Sequence, residues 1–122
     1  VITQFIKKIS KKENLIIFGD GEQIRDFIHV NDIAQANLVA MKSNIESGFF
    51  NIGTGKHTSV NNLAKIMIKI SNKKLNIIHE KPLEGDVKTS LANTQKSEKL
   101  LKWKYSIELK EGLKELIKNS KM

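Results

Sequence analysis

The chain has 122 residues, 39% of them hydrophobic, with 21 lysines and arginines against 13 aspartates and glutamates, a formal net charge of +8 and no cysteine. Without cysteine there are no disulfides, no thiolate catalysis and no Cys-based zinc site. Unbroken apolar runs reach only three or four residues, as at 15–18, far short of the ~20 that a bilayer-spanning helix needs.

This length predicts one compact unit over residues 1–122 with a single modest core. The positive charge raises a nucleic-acid reading, because clustered Lys and Arg neutralise phosphates and release counterions. Here the basic residues are not clustered: Arg25 stands alone among lysines spread over nearly every segment, and aromatic residues make up 6%. That pattern reads as a solvated surface with weak non-specific affinity at most.

The first residues lack an initiator Met and carry no basic leader followed by an apolar core. They open directly on a stripe of Ile2, Phe5, Ile6 and Ile9, so the chain is expected to begin inside a longer protein. A helix is predicted over 2–11, a strand over 15–18, and a turn at Gly19-Asp20-Gly21. A second extended piece is predicted over 26–30, followed by a helix capped by Asn31 or Asp32 and running to Met41, with Ile33, Ala36, Ala40 and Met41 as its packing positions.

Residues 49–52 then read as a short strand ending in Gly53-Thr54-Gly55. Ser59 caps a helix with Val60, Leu63, Ala64, Met67 and Ile70 on one face. A strand over 75–79, an irregular segment around Pro82 and Gly85 to about 93, and helices over 94–101 and 107–118 complete the order. In the last helix Leu109, Leu113, Leu116 and Ile117 repeat at helical spacing, and Gly112 weakens it. The fold class expected is α/β, α+β-like if the piece stands alone, with short strands and about five helices.

Self-contained catalytic machinery is missing from the pattern. The glycines at 19, 21, 48, 53, 55, 85 and 112 never form G-x-G-x-x-G, and Gly53-Thr54-Gly55-Lys56 lacks the phosphate-loop spacing, so it reads as a tight strand-to-helix turn. His29, His57 and His79 are too dispersed to form a metal motif. Asp20, Glu22 and Asp26 lie on a turn and strand where solvated acids are common.

Residues 17–33, IFGDGEQIRDFIHVNDI, resemble a segment of the extended short-chain dehydrogenase/reductase family, in particular its nucleotide-sugar epimerases of the UDP-glucose 4-epimerase kind. FNIGTG at 50–55, TSV at 58–60, KPLEGD at 81–86, IELKEGL at 107–113 and the opening VITQFI keep the family's order. The resemblance therefore runs along essentially the whole chain.

The resemblance implies the C-terminal, sugar-nucleotide-binding lobe of an extended Rossmann-type epimerase, with the NAD-binding Rossmann portion outside this sequence. In that family NAD takes a hydride from C4 of a UDP-sugar and returns it to the other face, interconverting, for example, UDP-glucose and UDP-galactose. It implies Arg25 as a contact to the nucleotide diphosphate, which suits a planar guanidinium with several donors. It implies Asp86 as an acceptor for the ribose hydroxyls, and Ile16 and Phe18 as neighbours of the base. Each has a plainer reading: an ion pair of Arg25 with Asp20 or Asp26, a turn position for Asp86, and strand-core positions for Ile16 and Phe18.

Two departures stand out. The family commonly has arginine where this chain has Leu83, which removes one diphosphate contact. Its catalytic Tyr-x-x-x-Lys is also absent, since the lone Tyr105 is followed four residues later by Leu109 and is expected to pack near Trp103. The chain by itself is thus expected to hold no catalytic, cofactor-binding or metal-binding residue. Its expected partners are a UDP-sugar, the rest of the protein and a second copy of itself, in a cytoplasmic setting. A nucleotide-sugar dehydratase or decarboxylase, or a non-catalytic nucleotide-sugar-binding module, remains the alternative.

Overall fold

A computed structural model describes residues 1–120. The chain runs α1 (Ile2–Ser10), β1 (Leu15–Phe18), β2 (Ile24–Arg25), α2 (Val30–Lys42), β3 (Thr58–Ser59), α3 (Val60–Ser71), β4 (Ile77–Glu80), α4 (Gln95–Leu101) and α5 (Leu109–Asn119). The architecture is α/β, with five helices and short strands among the described residues.

β1 alternates as a half-buried strand must. Leu15 and Ile17 are buried to within 2%, which turns Ile16 and Phe18 to the opposite face. β4 lies parallel to β1, Leu15 opposite Ile77 and Phe18 opposite Glu80, and the Gly19 N–H continues the ladder by donating to the Glu80 carbonyl at 2.8 Å. A parallel pair needs a long crossover, here the whole stretch carrying α2 and α3. β2 instead pairs antiparallel with β3, Ile24 with Ser59 and Arg25 with Thr58.

The main core joins α1, β1, α3 and α5 through Phe5, Ile9, Leu15, Ile17, Leu63, Met67, Leu113 and Ile117. A second apolar cluster gathers Ala36, Leu101 and Trp103 with Phe50, Ile52 and Tyr105 around them. The apolar interior is thus split in two, where one core was predicted. Tyr105 does join the Trp103 cluster, as its sequence position led us to expect.

Ser59 caps α3 by accepting from the Asn62 N–H at 3.1 Å. The cap of α2, however, is neither Asn31 nor Asp32. His29 takes that place, its Nδ1 accepting from the Asn31 N–H at 3.0 Å, while Asp32 is 2% exposed inside the helix's first turn. Asp32 accepts from the Ser106 N–H (3.1 Å), the Ser106 hydroxyl (3.0 Å) and the Ile107 N–H (3.0 Å), fastening α2 to the approach of α5.

α2 buries Asp32 and Ala36 and leaves Ala40 exposed and Met41 82% exposed, so its packed stripe is narrower than the predicted one. Leu116 likewise stays 46% exposed on α5. Gly112 has a packing reason, because a Cβ there would stand 3.1 Å from His29 Cδ2.

Two predicted strands do not form. Residues 26–29 leave the ladder after Arg25, because Asp26 turns to the 53–55 loop and His29 becomes a helix cap. Residues 49–52 have no ladder partner among the described residues: Phe50 and Ile52 pack into the second cluster, and Phe49 is 93% exposed. The strand predicted over 75–79 pairs over Ile77–Glu80.

Candidate functional site

Ile16, Phe18, Arg25 and Asp86, the four residues singled out from the sequence, line one concavity of about 820 Å³. β1 supplies the first two together with Ile17, alternation leaving Ile17 buried at its floor, Ile16 half-buried and Phe18 42% exposed. β2 supplies Arg25. Asp86 arrives on the irregular segment after β4, and Leu83 lines the same opening with 56% of its surface exposed.

Arg25 does form an ion pair, but with a partner 61 residues away. Its Nη2 donates to Asp86 Oδ1 at 2.9 Å, and its Nη1 donates to the Ile24 carbonyl at 2.8 Å. Neither expected partner pairs with it, and both are used locally. Asp20 Oδ1 accepts from the Glu22 N–H at 2.9 Å and closes the glycine turn. Asp26 accepts from the Thr54 N–H (3.0 Å), the Gly55 N–H (2.9 Å) and the Thr54 hydroxyl.

That last set of bonds also settles the 53–55 loop. Its outward N–H groups, which could otherwise cradle a phosphate, point at the Asp26 carboxylate. The loop is a turn clamped by an acid from its own chain.

The Arg25 and Asp86 side chains are 25% and 36% exposed. A pair this open contributes on the order of 0–1 kcal/mol, so an arriving anion competes with Asp86 for Arg25 at little cost. Two of the guanidinium's five N–H donors are engaged among the described residues. Arg25 is thus a partly shielded cation with donors to spare, beside an acceptor carboxylate and an apolar wall formed by Phe18, Ile16 and Leu83.

Gln23 was not singled out from the sequence. Its amide nitrogen donates to Asp86 Oδ2 at 3.2 Å and to the Phe18 carbonyl at 3.3 Å, and it lines the concavity. Its position two residues before Arg25, on the same side of an extended stretch, was the available signal.

Tyr105 lies outside this opening. Its hydroxyl donates to Glu108 at 3.3 Å, and the Lys56 ammonium sits 5.4 Å from its ring centroid. Tyr105 and Glu108 raise the Lys56 pKa above the usual lysine value, and Lys56 lowers that of Glu108. The group is a surface ion cluster. The histidines are also dispersed: His29 caps α2 and contacts Glu115 at 3.3 Å, while His79 bonds Asn61 at 2.8 Å.

Comparison with known proteins converges on one family. A model described as "NAD dependent epimerase/dehydratase family" matches residues 1–53. A putative UDP-glucose 4-epimerase of Methanocaldococcus jannaschii is 45% identical over 117 residues, covering 96% of this chain and 37% of that protein. The crystal structure of the Thermotoga maritima UDP-glucose 4-epimerase with UDP-glucose superposes with a TM-score of 0.89 at 36% identity, over 96% of this chain and 38% of that one. The Bacillus cereus UDP-glucuronic acid 4-epimerase, solved with UDP-glucuronic acid and NAD, gives 0.87 at 28% identity, over 97% and 39%. The chain therefore spans somewhat over a third of the length of these relatives.

Proposed function

Because the chain belongs to the NAD dependent epimerase/dehydratase family, we propose that residues 1–122 form the C-terminal, sugar-nucleotide-binding portion of a UDP-sugar 4-epimerase. The observation that carries the reading is convergence: Arg25, Asp86, Phe18 and Ile16, from three separate stretches of sequence, line one opening. In it Arg25 engages the diphosphate, Asp86 accepts hydrogen bonds from the ribose hydroxyls, and Phe18 and Ile16 flank the base. Leu83, an apolar residue at the rim, gives the phosphates no second cation from that position. A UDP-hexose such as UDP-glucose is the substrate proposed.

NAD supplies the hydride chemistry in such an enzyme, and the residues of this chain do not fit it. No G-x-G-x-x-G is present, and the 53–55 loop spends its N–H groups on Asp26. The cofactor and the proton-transferring groups are assigned to a Rossmann portion of the protein outside these residues. This chain's share of the reaction is to bind and orient the substrate.

Exposed Val30, Met41 and Phe49, together with the unladdered 49–52 segment, support docking of apolar surface towards the remainder of the protein or a second copy. A cytoplasmic setting goes with this function. No helix among the described residues is long and apolar enough to cross a membrane.

Calorimetric titration of the chain with UDP, and separately with NAD, tests the reading. The expected result is UDP binding that weakens at least tenfold in Arg25→Ala, with no heat from NAD. UDP binding equal in wild type and variant would overturn the role of Arg25, and NAD binding would overturn the division of labour.

A further inference from the structure

The Asp86 carboxylate is held through both oxygens by two different side chains, Arg25 on Oδ1 at 2.9 Å and Gln23 on Oδ2 at 3.2 Å. Gln23 is anchored in turn, because the same amide nitrogen donates to the Phe18 carbonyl at the end of β1, 3.3 Å away. Its own backbone is also fixed, its carbonyl accepting from the Val60 N–H at 3.1 Å.

The segment that carries Asp86 is fastened mainly at its ends. Before it, Gly19 bonds the Glu80 carbonyl at 2.8 Å. After it, Ile24 donates to the Lys88 carbonyl at 2.7 Å and Ser90 donates to the Ile24 carbonyl at 2.9 Å. Between these ends the main chain makes one long bond, Asp86 N–H to the Leu83 carbonyl at 3.4 Å, and Leu83 and Val87 are each 56% exposed. The Asp86 side chain is therefore a principal tie between the middle of 83–88 and the β1–β2 wall.

Arg25 cannot give the same N–H to Asp86 and to a phosphate. When a dianionic group draws the guanidinium away, Asp86 loses its charged partner and faces a like charge, which pushes it outward. A neutral amide suffers no such pull and keeps its bond to Oδ2.

We infer that Gln23 is a positioning residue for Asp86: it holds the carboxylate and the 83–88 segment against the wall while Arg25 changes partners from Asp86 to the ligand's diphosphate. The tether to Asp86 stands on the geometry alone, and its consequence for binding rests on the proposed nucleotide-sugar role.

The test combines backbone ¹⁵N relaxation of the nucleotide-free chain with UDP calorimetry, for Gln23→Ala, Asp86→Ala and the double variant, each shown to be folded by circular dichroism. Gln23→Ala should lower the backbone order parameters within 83–88 while leaving Ser90 unchanged. It should weaken UDP about fivefold, the size of one lost hydrogen bond, and should have less than a twofold effect in the Asp86→Ala background. Gln23→Glu, which sets a carboxylate against Asp86, should weaken UDP more than Gln23→Ala does.

Unchanged order parameters within 83–88 in Gln23→Ala overturn the tether whatever the nucleotide does. An equal loss of UDP affinity in both backgrounds also overturns it, since Gln23 would then act without Asp86. Lower order parameters within 83–88 of Gln23→Ala, in a protein that shows no UDP binding at all, would support the tether and sink the nucleotide reading instead.

Discussion

Replacing Asp32 by alanine should cost the fold about 2 kcal/mol, the price of leaving partly buried donors unpaired. Asp32 is 2% exposed and receives three hydrogen bonds, from the Ser106 N–H and hydroxyl and from the Ile107 N–H. Ser106 is exposed and can turn to water, so most of the cost falls on the half-buried Ile107 N–H. A loss of this size is a sizeable part of the ~5–15 kcal/mol that holds a domain together. In a chain of this length it should lower the melting temperature by roughly 6–10 °C.

Burial alone would raise the Asp32 pKa, but the bonds from Ile107 and Ser106, with a contribution from His29, outweigh it and leave the carboxyl below its ordinary value. A depressed folded pKa adds stability that is complete above the unfolded value of about 3.9 and is lost as pH falls through the folded value. Urea unfolding of wild type, Asp32→Ala and Asp32→Asn should therefore show a constant gap between pH 5 and 8 that narrows below about pH 3.9. Asp32→Asn, which keeps one acceptor oxygen, should fall between the other two. An Asp32→Ala chain within ~0.5 kcal/mol of wild type at pH 7, the ordinary scatter of surface changes, would refute this account of how α2 is tied to α5.

Asp26→Asn should lose about 1–2 kcal/mol of stability, because an amide cannot accept from all the donors of Thr54 and Gly55. Its UDP affinity should stay within a few-fold of wild type, and a thermal melt paired with UDP titration separates it from Arg25→Ala. Gly21→Ala places a methyl 1.9 Å from Asn61 Oδ1 at a φ of +77°. It should cost about 2 kcal/mol or more by forcing a strained turn and displacing Asn61, read by chemical denaturation. Phe49→Ser, at a site 93% exposed, should change the unfolding free energy of the isolated chain, read by chemical denaturation, by no more than a surface substitution does, roughly ±0.5 kcal/mol.

The residues of the candidate opening were named through the family resemblance, and local patterns carry only part of that. A strand over 15–18 puts Ile16 and Phe18 on one face and Leu15 and Ile17 on the other, but with all four apolar only packing decides which pair is buried; Arg25 also stands out as the lone arginine. Gln23 escaped notice because an amide two positions from a charged residue has no signature of its own until its acceptor is known.

Local chemistry determined the five helices, the Ser59 cap, the β1 strand and the glycine turn at 19–21, because each depends on neighbours within a few residues. Contacts over 28 to 75 residues decided the rest. Asp26 left the strand register for the 53–55 loop, Asp32 gave up the cap position to hold Ser106 and Ile107, and Arg25 passed over two nearby acids for Asp86. In each case the partners are the groups that distant segments bring within reach, and no local pattern records how those segments pack.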